Sequence, residues 1–240
     1  MEDIKISFEI NNQIISDIID ISGAVISLGQ TLKKDFTIYH NSNYAIRDCG
    51  FYISPYAKTY KGTKNNVFDY EKVLWFGNSF QELDSNLDPY GFFIEQEYVA
   101  HGIVTDFDFT KIKDLKRNED KNIFYNDSER SCFIEIITGV CSGEKQKILS
   151  FNPETKEIFL DSGFSGIKKN DEYKITVKTK NLIKNKSGSS EDYLIPLLSN
   201  GGIIERAKSA KFTFSARLPE NLREPGVHYF DLNFKYIPEE

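Results

Sequence analysis

The string Asp106-Phe-Asp-Phe-Thr110 comes nearest to chemistry in this chain. Asp-x-Asp-x-Thr is a spacing suited to phosphoryl transfer, with the first carboxylate attacking phosphorus and the second working as acid and base. That chemistry needs an apolar strand before the pair, a helix after it and a magnesium-binding acidic pair downstream. Here the approach is Ala100-His-Gly-Ile-Val-Thr105, and no βαβ alternation follows. Phe107 and Phe109 at alternate positions predict an ordinary strand, with the two aspartates on its other face. The remaining candidates fail on spacing. His40, His101 and His228 stand far apart and make no metal-binding pair. Gly163-Phe-Ser-Gly166 lacks the elbow that exposes a serine nucleophile. Glu95 and Glu97 share a strand face as glycosidase carboxylates sometimes do, but an acidic chain makes such pairs freely. Asp84, Asn86 and Asp88 imitate the start of a calcium loop and Glu95 falls at its twelfth position, yet Pro89 takes the sixth place, where the sharp turn needs glycine, and Gly91 comes two places late. The expectation is therefore no catalytic residue, no cofactor, no metal and no enzyme.

The segment from Tyr70 to Phe93 carries more information. Trp75, Phe76, Phe80, Tyr90, Phe92 and Phe93 alternate there with Gly77, Asn78, Asp84, Pro89 and Gly91. Aromatic side chains in irregular, polar-rich sequence are what protein interfaces use as anchors, since they give large contact area for little entropy lost. Stacked aromatics also bind sugars, and they fill the space between packed sheets. The pattern leaves all three readings open: core filling, partner contact, or glycan binding.

Composition limits the classes. Of 240 residues, 40% are apolar, 14% aromatic and 28% charged, which excludes a disordered chain. The net charge of −6 lacks the cationic surplus that phosphate backbones require, so no nucleic-acid partner is expected. Lys111, Lys113, Lys116 and Arg117, interleaved with Asp114 and Glu119, read as a solvated face or loop, as do Lys178, Lys180 and Lys184. No uncharged apolar run reaches the roughly 18 residues of a membrane span, and the Met1-Glu2-Asp3 start carries no signal-peptide charge. Cys49, Cys132 and Cys141 are odd in number and never spaced as Cys-x-x-Cys. They read as buried reduced thiols of a protein made in a reducing cytoplasm.

The elements that would position these residues repeat with period two. Ile4, Ile6, Phe8 and Ile10 alternate with polar residues, as do Phe36, Ile38 and His40, then Phe212, Phe214 and Ala216, then Phe230, Leu232, Phe234 and Tyr236. Asp69–Leu83 and Ile203–Ala210 are the best candidates for short helices. Between Ser128 and Val177, four short strands are expected at the spacing of a small barrel or sandwich, with Asn152-Pro-Glu-Thr-Lys156 as a hairpin connection. The pattern predicts an all-β, mainly antiparallel, sandwich-like fold. Its main domain is built from residues 1–127 plus 178–240, and a small β-barrel or sandwich module, 128–177, is inserted in it.

Several segments carry a resemblance: Phe36-Thr-Ile-Tyr-His-Asn-Ser-Asn-Tyr44 with Asp48-Cys-Gly-Phe-Tyr-Ile-Ser-Pro-Tyr56, Asp69-Tyr-Glu-Lys-Val-Leu-Trp-Phe-Gly77, Tyr193-Leu-Ile-Pro-Leu-Leu-Ser-Asn-Gly-Gly202, and the ending Phe230-Asp-Leu-Asn-Phe-Lys-Tyr-Ile-Pro238. In these the chain resembles tail and baseplate proteins of contractile-tailed phages of Gram-positive bacteria and of phage-tail-like bacteriocins (tailocins). The block from Ser128 to Val177 also looks like small β-modules inserted in tail proteins. The resemblance implies a virion structural protein, assembled in the bacterial cytoplasm in several copies and held by contacts with other tail or baseplate subunits. It brings no functional residues with it. The alternatives are a host-surface glycan-binding or receptor-binding module of the tail and, behind it, a hydrolase using carboxylates such as Asp106 and Asp108 on exposed loops.

Overall fold

The computed structural model describes residues 6–10, 13–16, 31–40, 45–55, 91–120, 123–127, 129–182, 195–198, 209–217 and 230–238. These form strands β1 (Ile6–Ile10), β2 (Gln13–Ser16), β3 (Thr31–His40), β4 (Ile46–Pro55), β5 (Gly91–Ile103), β6 (Asp106–Asp108) and β7 (Lys111–Lys113). They continue with β8 (Arg130–Ile136), β9 (Lys145–Asn152), β10 (Glu157–Leu160), β11 (Glu172–Leu182), β12 (Ile195–Pro196), β13 (Ser209–Arg217) and β14 (Phe230–Pro238). Every pairing is antiparallel. The fold is all-β. No helix occurs among the described residues; Asp69–Leu83 lies outside them, and Ser209 and Ala210, at the end of the second helical candidate, begin β13.

An 11-stranded sheet runs in the order β2-β1-β3-β13-β5-β11-β8-β9-β10-β7-β6, and a 3-stranded sheet in the order β12-β4-β14. The alternations seen in the sequence place the side chains that hold the two sheets together. Along β3, Phe36, Ile38 and His40 are buried while the residues between them are partly exposed. Phe212 of β13 stacks on Phe36 at 5.1 Å and meets Phe51 of β4 at 4.3 Å; Phe51 in turn touches Phe234 of β14 at 5.3 Å. This aromatic column joins the two sheets face to face, as the sandwich reading expects. The side chain of Gln96 in β5 adds a polar tie: its amide donates to the carbonyl of Pro196 at 2.9 Å and accepts from the N–H of Leu198 at 2.8 Å.

The other end of the large sheet curls around a second core. Ile134, Ile136, Ile148, Ile158, Tyr173, Ile175 and Val177 share it with Ala100, Val104, Ile112 and Phe124, so residues upstream of Ser128 contribute to the same cluster. Asn152 to Lys156 make the expected hairpin between β9 and β10. The Asn152 carboxamide accepts from the N–H groups of Glu154 and Thr155, and Lys156 takes a φ of 61°. The expected barrel does not close, because β6 ends the ladder without returning to β5.

The strand that joins the two cores is β5. It pairs with β11 from Phe93 to Ile103 without interruption, whereas β13 follows it only from Gly91 to Gln96. Phe212 sits at the centre of the aromatic column, so Phe212→Ala is expected to lower the free energy of unfolding by about 3–5 kcal/mol. Urea denaturation measures this, and a loss below about 1 kcal/mol would show that the column is not a core.

Candidate functional site: a polar cleft and an apolar rim on the module

Beyond Gln96, β5 has no strand on one edge among the described residues, and side chains take the place of the missing ladder. The segment after β7 supplies them. The Asp114 carboxylate accepts the N–H of Ile103 at 3.2 Å, and the Arg117 guanidinium donates to the carbonyl of His101. Tyr173 of β11 closes the network: its hydroxyl donates to Asp114 Oδ2 at 2.7 Å and accepts from Arg117 Nε at 2.9 Å. Arg117 also donates to Glu119 at 2.7 Å, and its guanidinium lies 5.3 Å from the centre of the Tyr173 ring. Asp114 is 2% exposed and Arg117 4%. A buried ion pair persists only when the spare donors and acceptors of both partners are used, and here backbone and tyrosine use them.

This corrects the reading of residues 111–119 as a solvated face or loop. The lysines stay at or near the surface, but Asp114 and Arg117 are interior. Lys180 is likewise 5% exposed, held against Glu95 at 3.4 Å and over the ring of Phe93. Sequence spacing gave no sign of either arrangement, because the contacts that hold Arg117 inside, to His101 and Tyr173, reach 16 and 56 positions away.

The network forms the floor of a cleft of about 640 Å³, with His101, Lys116, Asn118, Ile137 and Glu172 around its mouth. Gly102 lies in the floor opposite Tyr173, and a methyl group at that position would run into the Tyr173 ring and the Asp114 carboxylate. Burial pushes the Tyr173 hydroxyl well above its ordinary value, and Asp114 adds to the effect while Arg117 opposes it. The phenol stays protonated and keeps donating. Such a floor is bonded to itself, and what it does chemically is hold β5, β11 and the 114–119 segment together.

The other candidate groups are separated or engaged elsewhere. Asp106 pairs with Lys169 at 3.1 Å, and this contact holds its carboxyl below the usual range; Asp108 accepts the N–H of Phe109 at 2.6 Å. Phe107 and Phe109 do not pack inward as the alternation implied, and both are exposed. Glu95 is drawn into contacts with Lys33, Lys180 and Ser215, while Glu97 faces Lys178. His40 is buried, His101 is exposed, and His228 lies outside the described residues. Phe164 within Gly163-Phe-Ser-Gly166 is buried in the module core. Cys49, Cys132 and Cys141 are all buried, and none is in a disulfide. No group of His, Cys, Asp and Glu suited to a metal occurs among the described residues.

Of the predicted contact aromatics, Trp75, Phe76, Phe80 and Tyr90 lie outside the described residues, and Phe92 lies in β5 without a described side chain. The module has an apolar rim that the sequence reading missed. Phe109 is 75% exposed and Val140 76%, and they flank one turn: Gly163 abuts Phe109 and Gly166 abuts Val140. Comparison with family models, with curated proteins and with solved structures finds no match to this chain.

Two measurements check the network and the buried thiol. Gly102→Ala is expected to lower stability by about 1–3 kcal/mol through overpacking, read by urea denaturation. An unchanged midpoint would show that the floor is loosely packed. Burial pushes the Cys132 thiol up to about 12 from an ordinary value near 9.0. The unfolded chain then loses a proton that the folded chain keeps, so this group's contribution to stability falls as pH rises from about 9 to about 12. The slope of stability against pH over that window is expected to be shallower in Cys132→Ala, and an identical slope would assign it to other groups.

Proposed function

We propose that this chain is a structural, non-catalytic subunit of a phage tail or tailocin baseplate, present in several copies and held in the particle by contacts with other tail or baseplate subunits. In this reading it is made in the bacterial host cytoplasm and assembled there into the virion or tailocin. The resemblance of its strand and aromatic segments to tail and baseplate proteins supports the setting. The observation that carries the mode of action is the contrast between the cleft and the rim of the module. Charged groups in the cleft floor are bonded to one another, whereas large apolar side chains stand in solvent beside the 161–166 turn. Exposed apolar clusters on a rigid scaffold mark surfaces that another protein covers.

A stable interface buries roughly 1,200–2,000 Å² in total, more than one turn can supply. The aromatics from Trp75 to Phe92 would provide a second contact. The double substitution Phe109→Ser and Val140→Ser removes exposed groups, so the isolated chain is expected to keep its stability within about 0.5 kcal/mol. Incorporation into particles should be lost, as it should for Trp75→Ala. Electron microscopy of intact particles, with the chain located in the density, reads this directly. Complete particles carrying both variants at wild-type occupancy would sink the contact reading.

A further inference from the structure

We propose that the outer edge of β6 is a docking site for a β-strand of another protein, one that alternates basic and apolar residues. The inference deepens the assembly reading and rests on its premise that the chain works by contacts with other chains. Two rows of side chains that cross the module carry it.

The first row is apolar. Register places Phe107 beside Ile112, Ile112 beside Ile158, and Ile158 beside Phe151. Phe151, Ile158 and Ile112 are 4%, 0% and 1% exposed, and then Phe107, last in the row, is 42% exposed. The jump falls where the ladder ends: β6 is the terminal strand of the sheet among the described residues, and nothing beyond it in the ladder covers Phe107. One more strand would bury that ring and give the edge backbone its missing partners, which is the usual way an extended segment adds to a sheet.

The second row says what that strand carries. Asp106 stands opposite Lys113, and Lys113 opposite Glu157, so charge alternates in sign from strand to strand; Asp108 likewise stands opposite Lys111. Continuing the alternation puts a cation opposite Asp106 and another opposite Asp108, with an apolar residue between them against Phe107. Opposite charges directly across a ladder stabilise it, and like charges destabilise it. The same rule excludes a second copy pairing β6 to β6, since antiparallel strands would set aspartate against aspartate. The aspartates thus work against self-association while selecting a basic partner. Lys169 now sits 3.1 Å from Asp106, with both side chains about 60% exposed, and it marks where the incoming cation would bind.

The test uses the full chain and two immobilised peptides, one alternating lysine with valine and one alternating glutamate with valine. The wild-type chain should bind the lysine peptide, with slowed amide exchange confined to residues 105–109. Asp106→Lys with Asp108→Lys should weaken that binding by about tenfold or more and transfer preference to the glutamate peptide. Phe107→Ala, which leaves both charges in place, should weaken it as well. No binding at millimolar peptide, equal binding of both peptides, or protection elsewhere on the chain would overturn the proposal. Wild-type incorporation of the double-lysine variant into particles would overturn the edge while leaving the assembly reading intact. Peptide binding by a chain that is absent from purified particles would do the reverse.

Discussion

The backbone of β5 presents N–H and C=O groups along two edges for 13 residues, and buried groups of this kind must all find partners. One edge is simple, because β11 follows it from Phe93 to Ile103. The other edge changes partner part-way. From Gly91 to Gln96 it is β13, and then the ladder stops. The side chain of Gln96 takes up the 196–198 segment at that point, and farther on the Asp114 carboxylate and the Arg117 guanidinium replace a strand at Ile103 and His101. Two cores can hang on one strand because three side chains do the work of a missing one.

This arrangement explains which parts of the fold could be read from the sequence. Alternation along Phe36, Ile38 and His40 and along Phe212 and Phe214 reports burial of a sheet face, a local property with a period of two, and those strands lie where the pattern puts them. The hairpin at Asn152–Lys156 is local too, since the turn chemistry sits within it. The role of Arg117 is not local. A guanidinium in a run of charges looks solvated until the chain returns with Tyr173, 56 residues later, to pack against it. Nothing in the spacing of 111–119 separates an interior arginine from an exterior one.

The candidate site was less legible for a related reason. Phe107 and Phe109 satisfy the strand period, but only Phe107 lies in β6, Phe109 standing in the turn after it, and periodicity says only which face a strand residue takes. Whether that face is covered depends on how many strands lie beyond it, and β6 is the last in the ladder among the described residues. Asp106 and Asp108 carried the opposite illusion. Their spacing suggested phosphoryl transfer, yet one carboxylate holds Lys169 and the other caps the amide of Phe109. A motif names residue types at a spacing; the neighbours that would make it reactive come from other strands.

The two cores meet along β5, where its partner on one edge changes. Glu95 stands there, just before the place where β13 leaves β5. Its carboxylate accepts from Ser215 of β13 at 2.6 Å and lies 3.2 Å from Lys33 of β3 and 3.4 Å from Lys180 of β11. One side chain therefore ties β5 to three strands at the point of divergence. Lys180 is buried there, so its pairing with Glu95 is screened by solvent far less than a surface ion pair would be. With β5 and β11 paired through the same point, two hydrogen-bonded strands join the module to the sandwich.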